Sequence, residues 1–223
     1  MEQLSAFHGD QKIKDFYIDR IRQHREADQL VRGTSVRGTS WDSTTNTGCG
    51  IGCTLNAYDH QAYETELGIP ELIAHLEDSI FEGLPEADAM EWPGKFLKAI
   101  PIGADLTKII PQIVIWQFED ETWGLQNTQE IKDDPKLAIA CTDLVALYRR
   151  ELAGGRVTTD EWKAIYQGAA LVWARARART WAARSRAEAW AGVLALENKA
   201  YKALATKLLQ LLADAPVIHT IAL

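Results

Sequence analysis

With 223 residues, the chain is long enough for one large domain or for a domain with an appendage. Its composition, 47% hydrophobic and 25% charged, is that of a globular protein with a buried core. A formal net charge of -7 excludes a global attraction to nucleic acid or to an anionic membrane, so neither is an expected partner and any basic contact must be local.

The opening residues, MEQLSAFHGDQKIKDF, put no apolar run behind a basic start, unlike a secretory signal. Three cysteines, an odd number, then predict reduced thiols and a cytoplasmic location. Ile13, Phe16, Tyr17, Ile21 and Val31 recur at helical spacing, which predicts an amphipathic helix from Asp10 to Val31, with Gly33 just past its end. A polar, Gly-rich loop is expected over 32–56. It carries a tandem repeat, Val31-Arg32-Gly33-Thr34-Ser35 followed by Val36-Arg37-Gly38-Thr39-Ser40, of the kind a loop absorbs cheaply. Asp59 is placed to cap a short helix that stops at Gly68, and Pro70 opens another that runs to Glu82. Short helices are expected at Glu86–Met90, Gly94–Ile100 and Leu106–Phe118, with Pro85, Pro93, Pro101 and Pro111 as punctuation. The most apolar stretch, Ile109 to Phe118, is interrupted by Pro111 and Gln112 and falls far short of the roughly 20 residues of a membrane span.

Pro135 opens a helix to Leu152, broken by Gly154-Gly155. Thr158 and Glu161 match a capping box. From there to Ala213 no proline intervenes, and the stretch predicts a long helix or a helical hairpin with weak points at Gly168 and Gly192. A few residues of strand are expected at most, in Arg156–Thr158 or Val217–Leu223. The fold class is therefore all-α: an irregular multi-helix domain over 1–153 and an Ala- and Trp-rich helix or hairpin over 154–223.

Four groups of residues invite chemistry. Arg20, His24 and Asp28 fall in the middle of the first helix's apolar stripe at i, i+4, i+8, where polar groups must be paired or line a cavity. They are either a ligand site or a ladder holding a neighbouring loop. Gly48-Cys49-Gly50-Ile51-Gly52-Cys53-Thr54 offers glycines that admit a close backbone approach and an anion-binding nest. Its cysteines are thiol or metal candidates at a loose zinc spacing, or small buried packing groups. His60, with Tyr63 and Glu64 behind it, is a candidate base or metal ligand. Glu71, His75, Asp78 and Glu82 share the face of their helix opposite Leu72, Ile73, Leu76 and Ile80, which reads as a solvated stripe. In the tail, Trp173, Trp181 and Trp190 alternate with Arg175, Arg177, Arg179, Arg184 and Arg186, a helix suited to anchoring in a core or to binding a protein partner or a second copy of the chain.

The strings Gly-Cys-Gly-Ile-Gly-Cys-Thr-Leu at 48–55, Asp-His-x-x-Tyr-Glu-x-Glu-Leu-Gly-Ile-Pro at 59–70 and Leu-Glu-Asp-x-Ile-Phe-Glu-Gly-Leu-Pro at 76–85 resemble a family of proteins of bacteria and their phages to which no activity is attached. The Arg20-x-x-x-His24-x-x-x-Asp28 spacing and the Ala- and Trp-rich tail fit it too. The duplicated VRGTS departs from the single Gly-Thr, aromatic and Trp expected before Trp41. The resemblance implies no reaction and no cofactor. It implies that the His24 helix, the Cys segment and the His60 helix form one unit.

The expectation is thus a small-ligand, anion or metal site made by Arg20, His24, Asp28, Trp41, Cys49, Gly50, Gly52, Cys53, His60, Tyr63 and Glu64. Cys49, Cys53 and His60 are the catalytic or metal-ligating candidates. His24, Asp28, Cys49, Cys53 and His60 should converge, with an imidazole favouring a thiolate. The alternative is a non-enzymatic interaction module working through the Trp/Arg helix.

Overall fold

A computed structural model describes residues 4–33, 41–164 and 190–218. The fold is all-α, with a single two-stranded sheet among the described residues. No helix among them is long and apolar enough to cross a membrane. Two compact units divide the chain, one of Met1–Ile110 with Tyr201–Leu223 and one of Pro111–Ala200.

In the first unit, Ala6–Gly9 makes a tight turn in which Phe7, His8 and Gly9 all have positive φ. Left-handed backbone costs an ordinary residue about 1–2 kcal/mol, and here the Phe7 ring is fully buried. Helix α1 (Gln11–Glu26) is capped by the Asp10 carboxylate, which accepts from the Lys12 amide at 2.8 Å. Its inner face is Tyr17, Ile21 and His24. The helix stops five residues before Val31. Asp28 turns left-handed at φ 56°, and the backbone of Gln29–Val31 pairs with Gly48 instead: Gly48 N–H donates to Gln29 at 3.1 Å and Val31 N–H to Gly48 at 2.8 Å. An extended pairing that buries Leu30 thus outcompetes one more turn of helix.

Strands β1 (Trp41–Asp42) and β2 (Thr47–Gly48) are antiparallel, with Trp41 opposite Gly48. The expected Gly-rich loop then turns out to contain a helix, α2 (Gly50–Leu55), every residue of which is buried. Glycine in a helix costs about 1 kcal/mol relative to alanine; the segment is helical because it is packed on all sides. Asn56 ends it at φ 56°.

Asp59 accepts from the Ala62 amide at 3.2 Å, and α3 (Ala62–Leu67) ends at left-handed Gly68. Helix α4 (Glu71–Gly83) follows Pro70. Helix α5 (Glu86–Ala99) runs straight through Pro93, so the two short helices expected there are one. Proline removes one ladder hydrogen bond, but Ala89, Trp92, Phe96 and Leu97 on both sides of it are buried and carry the helix past. The Lys14 ammonium closes its end, donating to the carbonyls of Lys98 (3.0 Å) and Ile100 (2.5 Å). Beyond it, Ala104 bridges Val217, a single residue pair where the sequence allowed a short strand.

Helix α6 (Ile109–Glu119) leads to α7 (Gln129–Asp133) and α8 (Pro135–Leu152). Asp134 caps α8 through the amides of Lys136 and Leu137; Pro135 stands in the first turn and left-handed Gly154 follows the helix, as the sequence predicts. The capping box also forms: Thr158 N–H donates to Glu161 Oε2 at 2.8 Å and Glu161 N–H to Thr158 Oγ1 at 3.3 Å, opening a helix α9 described over 159–164. Helix α10 (Trp190–Ala213) buries Leu204, Ala205, Leu208 and Leu212. The Trp173–Arg186 run, and the expected burial of the Trp173, Trp181 and Trp190 side chains, lie outside the described residues.

Candidate functional site

Two polar groupings emerge where one was expected. The first is a clasp at the C-terminal end of α2. Arg20 donates to the Thr54 carbonyl at 2.9 Å, with its guanidinium 4.4 Å from the centre of the Phe16 ring and 5.2 Å from that of Tyr17. One turn on, His24 is buried and held at both ring nitrogens, 2.7 Å from Gln29 Oε1 and 2.9 Å from Asn56 Oδ1. Trp41 packs edge-on against it at 5.6 Å. Arg20 and His24 therefore hold a neighbouring segment, as the ladder reading requires. Asp28 does not take part: it lies beyond the helix, exposed, on its left-handed turn. Beside the clasp is a pocket of about 420 Å³ lined by Phe16, Asp19, Arg20, Gln23, His24, Asn46 and Asn56.

The second grouping is in the core, where α2, α3, α4 and α5 meet. Cys49 caps α2, its sulfur accepting from the Gly52 amide at 3.5 Å, and Cys53 donates to the carbonyls of Gly48 and Gln29. Both thiols are fully buried. Burial raises them, Cys53 to about 12 and Cys49 further with the nearby Asp78 carboxylate adding to the effect. Burial thus works against the expected activated thiolate and favours protonated packing groups. Gly50 does admit a close approach, but by the chain itself, for a Cβ there would lie 2.7 Å from Glu77 Oε1 and 3.0 Å from Pro93 Cγ. Gly52 is buried inside the same helix, so neither glycine belongs to an open nest.

Glu77 is the residue that the sequence reading passed over. It is 0% exposed, and neither carboxyl oxygen has a hydrogen-bond partner among the described residues. Desolvation, then the charges of Asp78 and Glu82, push it well above the carboxylate range and favour its neutral form. Its signal was in the sequence: Glu77 shares the apolar stripe of Ile73, Ile80 and Phe81, the same mismatch that singles out His24. Tyr63 is also fully buried, and desolvation raises its phenol well above the usual range. Asp78, expected on a solvated stripe, is 8% exposed and faces His60 Nε2 at 3.4 Å, an attraction outside good hydrogen-bond geometry. His60 precedes α3 rather than sharing its face with Glu64. Its ring stacks on that of His75 at 3.9 Å, and His75 in turn reaches Glu71 at 3.5 Å. Glu64 has a structural task, accepting from the first amide of α4 at 3.0 Å.

No group of three or more His, Cys, Asp or Glu side chains among the described residues is arranged to hold a metal ion. Comparison of the chain with models of protein families, with curated proteins and with solved structures finds no match.

Proposed function

We propose that the pocket beside α1 binds a small molecule through an anionic group, a carboxylate or a phosphate, with Arg20 as the principal contact. The observation that supports this is the state of Arg20. Its guanidinium carries five N–H donors; one goes to the Thr54 carbonyl, and among the described residues no carboxylate lies within ion-pair distance of it. Asp19, the acid lining the same pocket, is engaged by Arg22 at 3.3 Å. A cation half-buried on an aromatic face, with donors to spare and two asparagine amides beside it, suits a planar or tetrahedral oxyanion. His24, clamped at both nitrogens, positions the Asn56 wall. The reading is one of binding in the cytoplasm, where Cys49 and Cys53 stay as buried thiols, and it assigns no reaction.

The test is a titration of the intact protein with inorganic phosphate, followed by nuclear magnetic resonance. The Arg20 side chain and the Asn46 and Asn56 amides are expected to shift saturably in the millimolar range or tighter. Arg20→Met should cost about tenfold or more in affinity, since a hydrogen bond to a charged group contributes about 1.5–3 kcal/mol. Arg20→Lys, which keeps the charge but loses the fork, should fall between. Equal binding by the Met variant, or no movement of these resonances, overturns the reading.

A further inference from the structure

The core carboxyl at position 77 is placed to do more than fill space. We propose that Glu77 is a protonation switch for α2: its neutral form lets α2 pack against α4, and its ionisation releases α2 and, with it, the Asn56 wall of the Arg20–His24 pocket. The link to the pocket rests on the binding reading above; the switch itself does not.

The argument is one of contact and charge. A carboxyl oxygen of Glu77 sits against Gly50, in the first turn of α2, at a distance that leaves no room for a methyl group. The last turn of the same helix carries the Thr54 carbonyl held by Arg20 and leads to the Asn56 side chain held by His24. Six residues of helix therefore join the buried acid to the clasp.

Among the described residues, no countercharge is paired with Glu77. From α4 itself come Asp78 and Glu82, both repulsive. From α2 come the thiols Cys49 and Cys53, and from α3 the Tyr63 phenol. All three are raised by burial, so they remain neutral and none supplies a positive charge. From α5, Trp92 donates its indole N–H to the Glu77 carbonyl, not to the carboxyl, and Pro93 contributes carbon. Arg32 is directed to the end of α4, donating to the Glu82 carbonyl and pairing at 3.8 Å with Glu86; its buried Nε bonds neither Glu77 oxygen. His60 and Tyr58 are turned to Asp78. A carboxylate formed here has no partner among the described residues and must recruit water, which means moving α2 off α4.

The sign follows from linkage. Glu77 is raised in the folded state above its ordinary 4.5, so the fold holds a proton that the unfolded chain gives up to water. The stability it contributes is complete below about 4.5 and is lost as pH rises toward the folded value. At most the folding constant falls tenfold per pH unit over that window.

The experiment is a carbon-13 titration of the glutamate carboxyls in the intact, ligand-free protein, from acid to alkaline pH and ending below the thiol range. The Glu77 resonance is expected to titrate far above the other glutamates, and the amides of 50–56 with the His24 ring to move in the same step. Glu77→Gln, a neutral isostere, should keep the low-pH spectrum and abolish that step. If that variant does not fold, the wild-type titration still decides. A Glu77 carboxyl that titrates near 4.5 overturns the proposal. So does one that titrates high while 50–56 stay fixed, or only as the whole protein unfolds. No readout contains an anion, so failure of phosphate binding and failure of the switch are separate results.

Discussion

Gly50 has no side chain because Glu77 and Pro93 occupy the space where one would stand. Sequence reasoning read this glycine as room for a ligand; the close approach was right and its partner was not. Glycine spacing reports that something comes near, and only the tertiary packing says what. The same limit applies to Asp28, which keeps helical spacing from His24 on paper but lies past a helix end set by Gly48, a residue twenty positions on. His24 and Glu77 were both legible as polar groups in apolar stripes, while the buried state of Asp78, on the outer side of its helix, depends on Tyr58 and His60 covering it. Gly50→Ala tests this packing. In an open helix the change would stabilise by about 1 kcal/mol. Here it should destabilise by about 1–3 kcal/mol, the usual cost of overpacking, read as a lower urea midpoint at unchanged slope. A neutral or stabilising result would mean that Glu77 swings aside freely.

Elements whose ends are written in local chemistry are where sequence predicts them. Asp134 and Pro135 start α8 and Gly154 follows its end; Asp59 and Gly68 bound the α3 turn. Elements that depend on packing were read less well: α2, with two glycines in six residues, was expected as loop, and α5, with a proline inside, as two short helices. The capping box at α9 belongs to the first kind and makes a local prediction. Accepting the Thr158 amide and, with Arg150, a charged donor lowers the Glu161 carboxyl to about 2. A depressed acid stabilises above its ordinary 4.5 and loses that contribution as pH falls through about 2. Amide exchange over 159–164 should therefore quicken on acidification across that window. Glu161→Ala should exchange fast already at neutral pH, with α8 and the first unit unchanged. Equal protection in the variant would show the box to be ornamental.

At the scale of the whole molecule, α10 buries Leu204, Leu208 and Leu212, but a stripe does not name the surface it packs on. Tyr201–Leu223 forms one compact unit with Met1–Ile110. Gly83 at the end of α4 lies where a Cβ would strike the Tyr201 ring, at 2.2 Å; Lys202 pairs with Asp88 of α5 at 2.7 Å; and Asp105 N–H donates to the Pro216 carbonyl at 2.7 Å. Leu208, fully buried, tests this division. Leu208→Ala should cost about 2–5 kcal/mol, the range for a large core side chain cut to alanine. The loss should appear as faster hydrogen exchange in α4 and α5, more than a hundred residues away in sequence, while α8 keeps its protection. If exchange instead quickened only within α10, the tail would be independent of Met1–Ile110 and this division would fail.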